Sequence, residues 1–221
     1  KRGKPEDAVS LWVADMDFPT APCIQKAVAE KAAHGIWGYS RPDNRYYDAL
    51  KKWYKERHNF EVQNEWVVNT PGVCFALAAA IKAFTNEGES VLIQKPVYYP
   101  FFNIINSLQR KVVNSSLILK NNHYEIDFDD FERKIVQENV KMFILCSPHN
   151  PGGRVWTKQE LQKISEICLA HNVLVVSDEI HSDITFGSNV HTVYGSLSEQ
   201  ALKSSIICTA PSKSFNLAGL Q

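Results

Sequence analysis

Four short runs dominated by Val, Ile and Leu constrain this chain more than any other feature: "SVLIQ" (90–94), "VKMFILC" (140–146), "NVLVVSD" (172–178) and "SSIICTA" (204–210). None alternates apolar with polar residues, as a strand wetted on one face would. Strands that are apolar throughout belong to a parallel sheet covered by helices on both faces. The intervening segments supply such helices. "APCIQKAVAEKAAHG" (21–35) carries Pro22 at its start and Gly35 as a stop, with Ile24, Ala27, Val28 and Ala32 in helical register. "NRYYDALKKWYKERHN" (44–59) places Leu50, Trp53 and Tyr54 in the same way. "GVCFALAAAIKAFTNEG" (72–88) is apolar nearly all round and predicts a buried helix. "TKQELQKISEICLAHN" (157–172) opens with Thr157 and Glu160 at capping-box spacing.

An open parallel sheet binds ligands beyond the carboxyl ends of its strands. The polar residues that follow each run are therefore the first candidates for chemistry: Lys95–Tyr99, Ser147–Asn150, Ser177–His181 and Thr209–Lys213. A lysine in a closed site can condense with an aldehyde once burial frees its amine. An aspartate can keep a pyridinium nitrogen protonated, an asparagine can donate to a phenolate oxygen, and an aromatic ring can stack on a heterocycle. The start of the apolar helix, Gly72–Val73–Cys74, offers free amides and a helix dipole to a phosphate. These parts together fit pyridoxal phosphate (PLP). Taken singly, each has a plainer reading: a solvated loop lysine, a turn at "PHNPGG", a helix cap at "SDE", ordinary aromatics at Tyr98 and Tyr99.

Composition narrows the partners. Lys+Arg and Asp+Glu number 24 each, so no net field favours nucleic acid or an anionic membrane. The longest apolar runs are far too short to span a bilayer, and no signal peptide opens the sequence. Five cysteines, an odd number without zinc-ligand spacing, read as reduced core residues, and no metal site is expected. These features place the expected location in the cytoplasm.

The motifs "SPHNPGGRVW", "VVSDEIHSDI" and "APSKSFNLAGLQ", in that order, resemble the fold-type I PLP enzymes of the aspartate aminotransferase superfamily. "LWVADMDFPTAP", "WGYSRP", "DEIHSDI" and "HTVYGSLSEQ" are more similar to its MalY/PatB-type branch, the cystathionine β-lyase-like carbon–sulfur lyases. The resemblance implies a three-layer α/β/α major domain around a mostly parallel sheet. It implies that residues 1–34 belong to the small domain and cleft edge, and 35–221 to the PLP-binding major domain. It also implies a fragment of a roughly twofold longer protein that lacks the C-terminal small domain.

By the same resemblance, Lys213 is the Schiff-base lysine and Asp178 the partner of the pyridine nitrogen. Asn150 contacts the phenolic oxygen and Tyr98 stacks on the ring. The amides of Val73 and Cys74, with the Ser212 hydroxyl, hold the phosphate. Tyr39 reaches the phosphate of a neighbouring subunit, which implies a homodimer with shared active sites. Three positions depart from the aminotransferase pattern: His181 replaces a tyrosine near the phenolic oxygen, Ala210 a serine, and Gln221 a phosphate-binding arginine. The implied reaction is β-elimination from L-cystathionine or another sulfur-containing amino acid, giving pyruvate, ammonia and a thiol. Two alternatives stand beside it. A class I/II aminotransferase would depend on a keto acid, and a regulatory binding protein on the same PLP fold would act through a protein partner.

Overall fold

The structure, a computed structural model of the chain, describes residues 3, 5–9 and 13–220. Its elements in chain order are α1 (Pro22–His34), α2 (Asn44–His58), α3 (Val73–Phe84), β1 (Ser90–Ile93), α4 (Pro100–Ser107) and β2 (Lys111–Asn114). There follow β3 (Ile118–Lys120), β4 (His123–Glu125), α5 (Phe128–Gln137), β5 (Val140–Cys146) and α6 (Lys158–Ala170). The last are β6 (Leu174–Asp178), α7 (Glu199–Lys203), β7 (Ser205–Cys208) and the single turn α8 (Pro211–Ser214). They form two compact units, Lys1–Tyr39 with Pro211–Gln221, and Ser40–Ala210.

The larger unit is built on a five-stranded sheet, ordered β2-β1-β5-β6-β7 and parallel throughout. The four apolar runs are its four inner and C-terminal strands. Although each run is continuously apolar, the pleat divides its side chains between two cores. Leu92, Phe143, Leu145 and Val175 pack with Phe131, Ile135, Leu161 and Ile164 of α5 and α6. Val91, Ile93, Met142, Ile144 and Val176 pack on the opposite face with Leu77, Ile81, Phe101 and Ile105 of α3 and α4. This is the expected three-layer α/β/α arrangement around a mostly parallel sheet. β3 and β4 form a separate antiparallel hairpin.

The helix signals are realised chemically. Pro22 opens α1, and Gly35 ends it in the left-handed region at φ 71°. In α6 the Thr157 hydroxyl accepts from the Glu160 amide at 3.1 Å while Glu160 accepts from the Thr157 amide at 2.8 Å, closing the capping box. α3 departs from its expected all-round burial. Val73, Leu77, Ala80 and Ile81 face the sheet, whereas Phe75 and Phe84 are exposed. The cysteines divide similarly: Cys146, Cys168 and Cys208 are buried, Cys23 and Cys74 are exposed, and all five are free. Among the described residues no helix is long and apolar enough to cross a membrane.

The smaller unit joins the two ends of the sequence. Asn216, at φ 53°, donates from Nδ2 to the carbonyls of Met16 (3.1 Å) and Phe18 (3.0 Å), and its Oδ1 accepts from the Met16 amide at 3.4 Å. The Thr20 hydroxyl donates to the Phe215 carbonyl at 2.6 Å.

Candidate cofactor site

Strand order places a crevice at the carboxyl ends of β1 and β5. From β1 the chain moves outward to β2, then returns to the other side of β1 as β5. Such a reversal separates the loops that follow the two strands and opens a ligand site between them. The loop after β1 carries Tyr98 and the loop after β5 carries Asn150.

The β5 loop, "SPHNPGGR", is shaped by its own contacts. The Ser147 amide donates to the Asp178 carbonyl at 3.0 Å, extending the β5–β6 ladder. His149 and Arg154 pair across the loop, amide to carbonyl, at 2.7 Å, and the Gly153 amide donates to the His149 carbonyl at 2.8 Å. Gly152 lies against the His149 ring, where a Cβ would come 2.7 Å from Nδ1. Burial holds His149 down at about 4, well under the usual histidine range. The Asn150 amide donates to Cys146 Sγ at 3.2 Å, so Asn150 is anchored to the strand end beside Asp178.

Asp178 ends β6, paired with Cys146 on one side and Cys208 on the other, and is buried. Burial pushes its carboxyl up to about 7, partly offset by the Ile180 amide, which donates to Oδ1 at 3.2 Å. The negative charge of Glu179 pushes it further in the same direction. Cys74 and Tyr98 lie close enough for the charge of Asp178 to raise both, after the larger effect of their own partial burial. A hydrogen bond links the Tyr98 side chain to Cys74. The Tyr98 ring stands edge-on to Phe101 at 5.8 Å between centroids.

Cys74 and the buried Val73 are the first residues of α3. Gly72 precedes them at φ 105°, a conformation open to glycine, and supplies no capping side chain. No side chain of Gly72 caps the first amides of this twelve-residue helix, an arrangement suited to an anion. These features are complementary to PLP. An aromatic side chain, a buried acid raised by burial and a helix start without a capping side chain lie together in the larger unit. Groups of these kinds suit an aromatic ring, a ring nitrogen and a phosphate.

The remaining predicted residues are placed as follows. His181 is half-buried in the turn after β6, and its carbonyl accepts from the Ile184 amide at 2.9 Å. Lys213, Ser212 and Tyr39 belong to the smaller unit. Ser212 is buried and Lys213 half-buried in α8, and Tyr39 is fully exposed. Gln221, along with Leu11 and Trp12 of "LWVADMDF", lies outside the described residues.

Sequence reasoning passed over Glu179. It is completely buried, accepting from Ser177 Oγ and from the Tyr194 amide, each at 2.9 Å, with His191 Nε2 at 2.8 Å. Its signal was present: two adjacent acids ending an apolar strand is an arrangement that a core does not tolerate without partners.

The chain is similar to known proteins along nearly all its length. It is 46% identical over 215 residues to cystathionine beta-lyase PatB of Bacillus subtilis, covering 97% of this chain and 56% of that protein. It is 34% identical to protein MalY of Escherichia coli, covering 97% of this chain and 54% of the other. Among solved structures, cystalysin from Treponema denticola, which contains a pyridoxal 5'-phosphate cofactor, matches with a TM-score of 0.95 and 41% identity. That match covers 99% of this chain and 56% of cystalysin. The chain therefore spans about half the length of the curated relatives it matches. The aminotransferase class I and II family matches residues 6–221, and the chain belongs to that family.

Proposed function

We propose that the protein acts as a PLP-dependent carbon–sulfur β-lyase. It would cleave the Cβ–S bond of L-cystathionine or a related cysteine S-conjugate and release pyruvate, ammonia and a thiol. The observation that carries the chemistry is Asp178: a buried carboxyl at a strand end, drawn up to about 7, beside an aromatic ring and an uncapped helix start. The 46% identity to a cystathionine beta-lyase supports a lyase over a transferase.

When bound, PLP supplies an electron sink that acidifies the substrate's Cα–H and lets the bond to sulfur break. The protein's part is positioning and proton transfer. Asp178, as the carboxylate, would pair with the ring nitrogen and keep it protonated. The amides of Val73 and Cys74, and by resemblance the hydroxyl of Ser212, would hold the phosphate. Tyr98 would stack on the ring, and Asn150 and His181 would serve the phenolic oxygen. Lys213 would carry the cofactor, and its Nζ, when free, would take the Cα proton as general base. In a homodimer, the exposed Tyr39 serves the partner's phosphate.

Incubation of the full-length, PLP-loaded protein with L-cystathionine tests this reading. Pyruvate and homocysteine released one for one, with no keto acid added, is the expected result. Product formation that depends strictly on an added keto acid would make the protein a transferase.

A further inference from the structure

Glu179 has no place in the roles given above, yet it is more deeply buried than Asp178. Enclosing a carboxylate is costly unless donors surround it, and here three do. Ser177 Oγ and the Tyr194 amide both donate to Oε1, and His191 pairs with Oε2 at 2.8 Å. A carboxylate only accepts, so this contact puts a proton on His191 Nε2. The His191 ring is buried and stands edge-on to His58 of α2, 5.7 Å between centroids. His58 Nε2 lies 2.9 Å from Asp183 Oδ1, and Trp53 Nε1 of the same helix donates to that oxygen at 3.1 Å.

The turn that follows β6 is thus gripped at both ends, by Glu179 near the strand and by Asp183 from α2. Between these grips the Glu179 amide donates to the Cys208 carbonyl at 2.8 Å, and the Ser182 amide donates to the Glu179 carbonyl at 2.9 Å. From this turn the Ile180 amide donates to Asp178 Oδ1 at 3.2 Å. Alternation along the strand sends the two neighbouring acids to opposite sides. Asp178 faces Cys74 and Tyr98, while Glu179 faces His191 and Tyr194.

We infer that Glu179 and His191 are positioning residues for Asp178. They fix the turn so that the Ile180 amide holds one carboxyl oxygen and the other is left for the ring nitrogen of the cofactor. The inference rests on the proposed PLP chemistry for its purpose, but not for its test.

Deuterium uptake in the full-length apoprotein provides that test, read in peptides spanning 177–184 and, as a reference, 140–146 in β5. Glu179→Ala removes the acceptor. Uptake in 177–184 should accelerate about tenfold, with 140–146 unchanged. Glu179→Gln keeps an acceptor for Ser177 and Tyr194 and should restore most of the protection. In the PLP-loaded protein, Glu179→Ala should lower kcat about tenfold with KM nearly unchanged. Uptake in 177–184 equal to that of the unsubstituted protein would overturn the inference. Should Glu179→Ala unfold the protein, as loss of protection at 140–146 would reveal, Ser177→Ala and His191→Asn decide. Faster uptake confined to 177–184 supports the pair, and unchanged uptake in both overturns it. A protein that fails to release pyruvate yet shows this uptake pattern would refute the lyase reading while sustaining the positioning role.

Discussion

Asn216 and Met16, two hundred positions apart, pair in both directions: Asn216 Nδ2 donates to the Met16 carbonyl, and the Met16 amide donates to Asn216 Oδ1. Asn216 also reaches the Phe18 carbonyl from a left-handed backbone that asparagine tolerates and most residues do not. It lies three residues after Lys213, whose single helical turn is closed by the Phe215 amide on the Pro211 carbonyl at 3.0 Å. The Asn216 side chain therefore tethers the lysine segment to "DMDF", beside the Thr20 bond to the Phe215 carbonyl. Asn216→Gly keeps the backbone conformation and deletes the tether. It should cost about 1–2 kcal/mol in urea unfolding of the full-length protein and speed proteolysis around Lys213. Asn216→Asp keeps the acceptor for the Met16 amide but sets a carboxylate oxygen against the Met16 and Phe18 carbonyls, and should lose at least as much.

Arg154 Nη2 lies 2.8 Å from both carboxylate oxygens of Glu160, and its guanidinium stacks 4.5 Å from the Trp156 ring. Arg154 is buried and also donates to the Tyr124 carbonyl, so the pair fastens the "PHNPGGR" loop to α6 and to the β3–β4 hairpin. Burial alone would raise the Glu160 carboxyl. The Thr157 amide, Arg154 and the Thr157 hydroxyl outweigh it and hold the carboxyl below its usual range. Glu160→Ala strands a buried guanidinium and removes the capping box. It should destabilise by about 3 kcal/mol, whereas Glu160→Gln, which retains the cap, should cost less.

Asp178 makes the fold less stable at neutral pH. Its folded-state pKa, near 7, lies above the unfolded value of 3.8, so the folded chain holds a proton that the unfolded chain releases. The resulting stabilisation is complete below pH 3.8 and disappears as pH rises through 7. Asp178→Asn removes that dependence. The apoprotein of this variant should be a few kcal/mol more stable than the unsubstituted protein at pH 8, and little different at pH 4. Lyase activity should be lost throughout. Thermal unfolding across that range checks the sign.

Gly152 and Gly153 predict different outcomes from the same substitution. At Gly152 a Cβ would meet His149 Nδ1 at 2.7 Å and a Tyr124 ring carbon at 3.1 Å. Gly152→Ala must therefore displace both rings, at about 1–3 kcal/mol. At Gly153 no atom lies within 4 Å, but φ is +64°, so Gly153→Ala should cost only about 1 kcal/mol of backbone strain. Because the loop bearing Asn150 turns on Gly152, that variant should also weaken PLP binding, measurable by titration of the apoprotein.

The sheet was legible because its strands are buried on both faces, which leaves long apolar runs with little else to become. α1, α2 and α6 were legible from their stop and start residues. What escaped is short or exposed. β2 is an edge strand of four residues with one buried side chain, Val113. The β3–β4 hairpin carries its signal in the turn, where Asn121 and Asn122 both have positive φ (49° and 60°), as a tight two-residue hairpin turn requires. The sequence of α3 predicts burial all round because periodicity cannot distinguish a core helix from one whose outer face carries Phe75 and Phe84. At the site, Asp178 and Asn150 follow from position alone, at strand ends. The contact of Asn216 with Met16 and the enclosure of Glu179 by His191 are long-range events that no local pattern encodes.

The account depends above all on a lysine-bound cofactor at position 213. The measurement is reduction of the full-length, PLP-loaded protein with borohydride, followed by proteolysis and mass spectrometry of the labelled peptide. The pyridoxyl label is expected on Lys213 alone, with the visible absorbance lost on reduction and never seen in Lys213→Ala. A label on any other lysine, or a Lys213→Ala protein that keeps both the absorbance and pyruvate release, would contradict it.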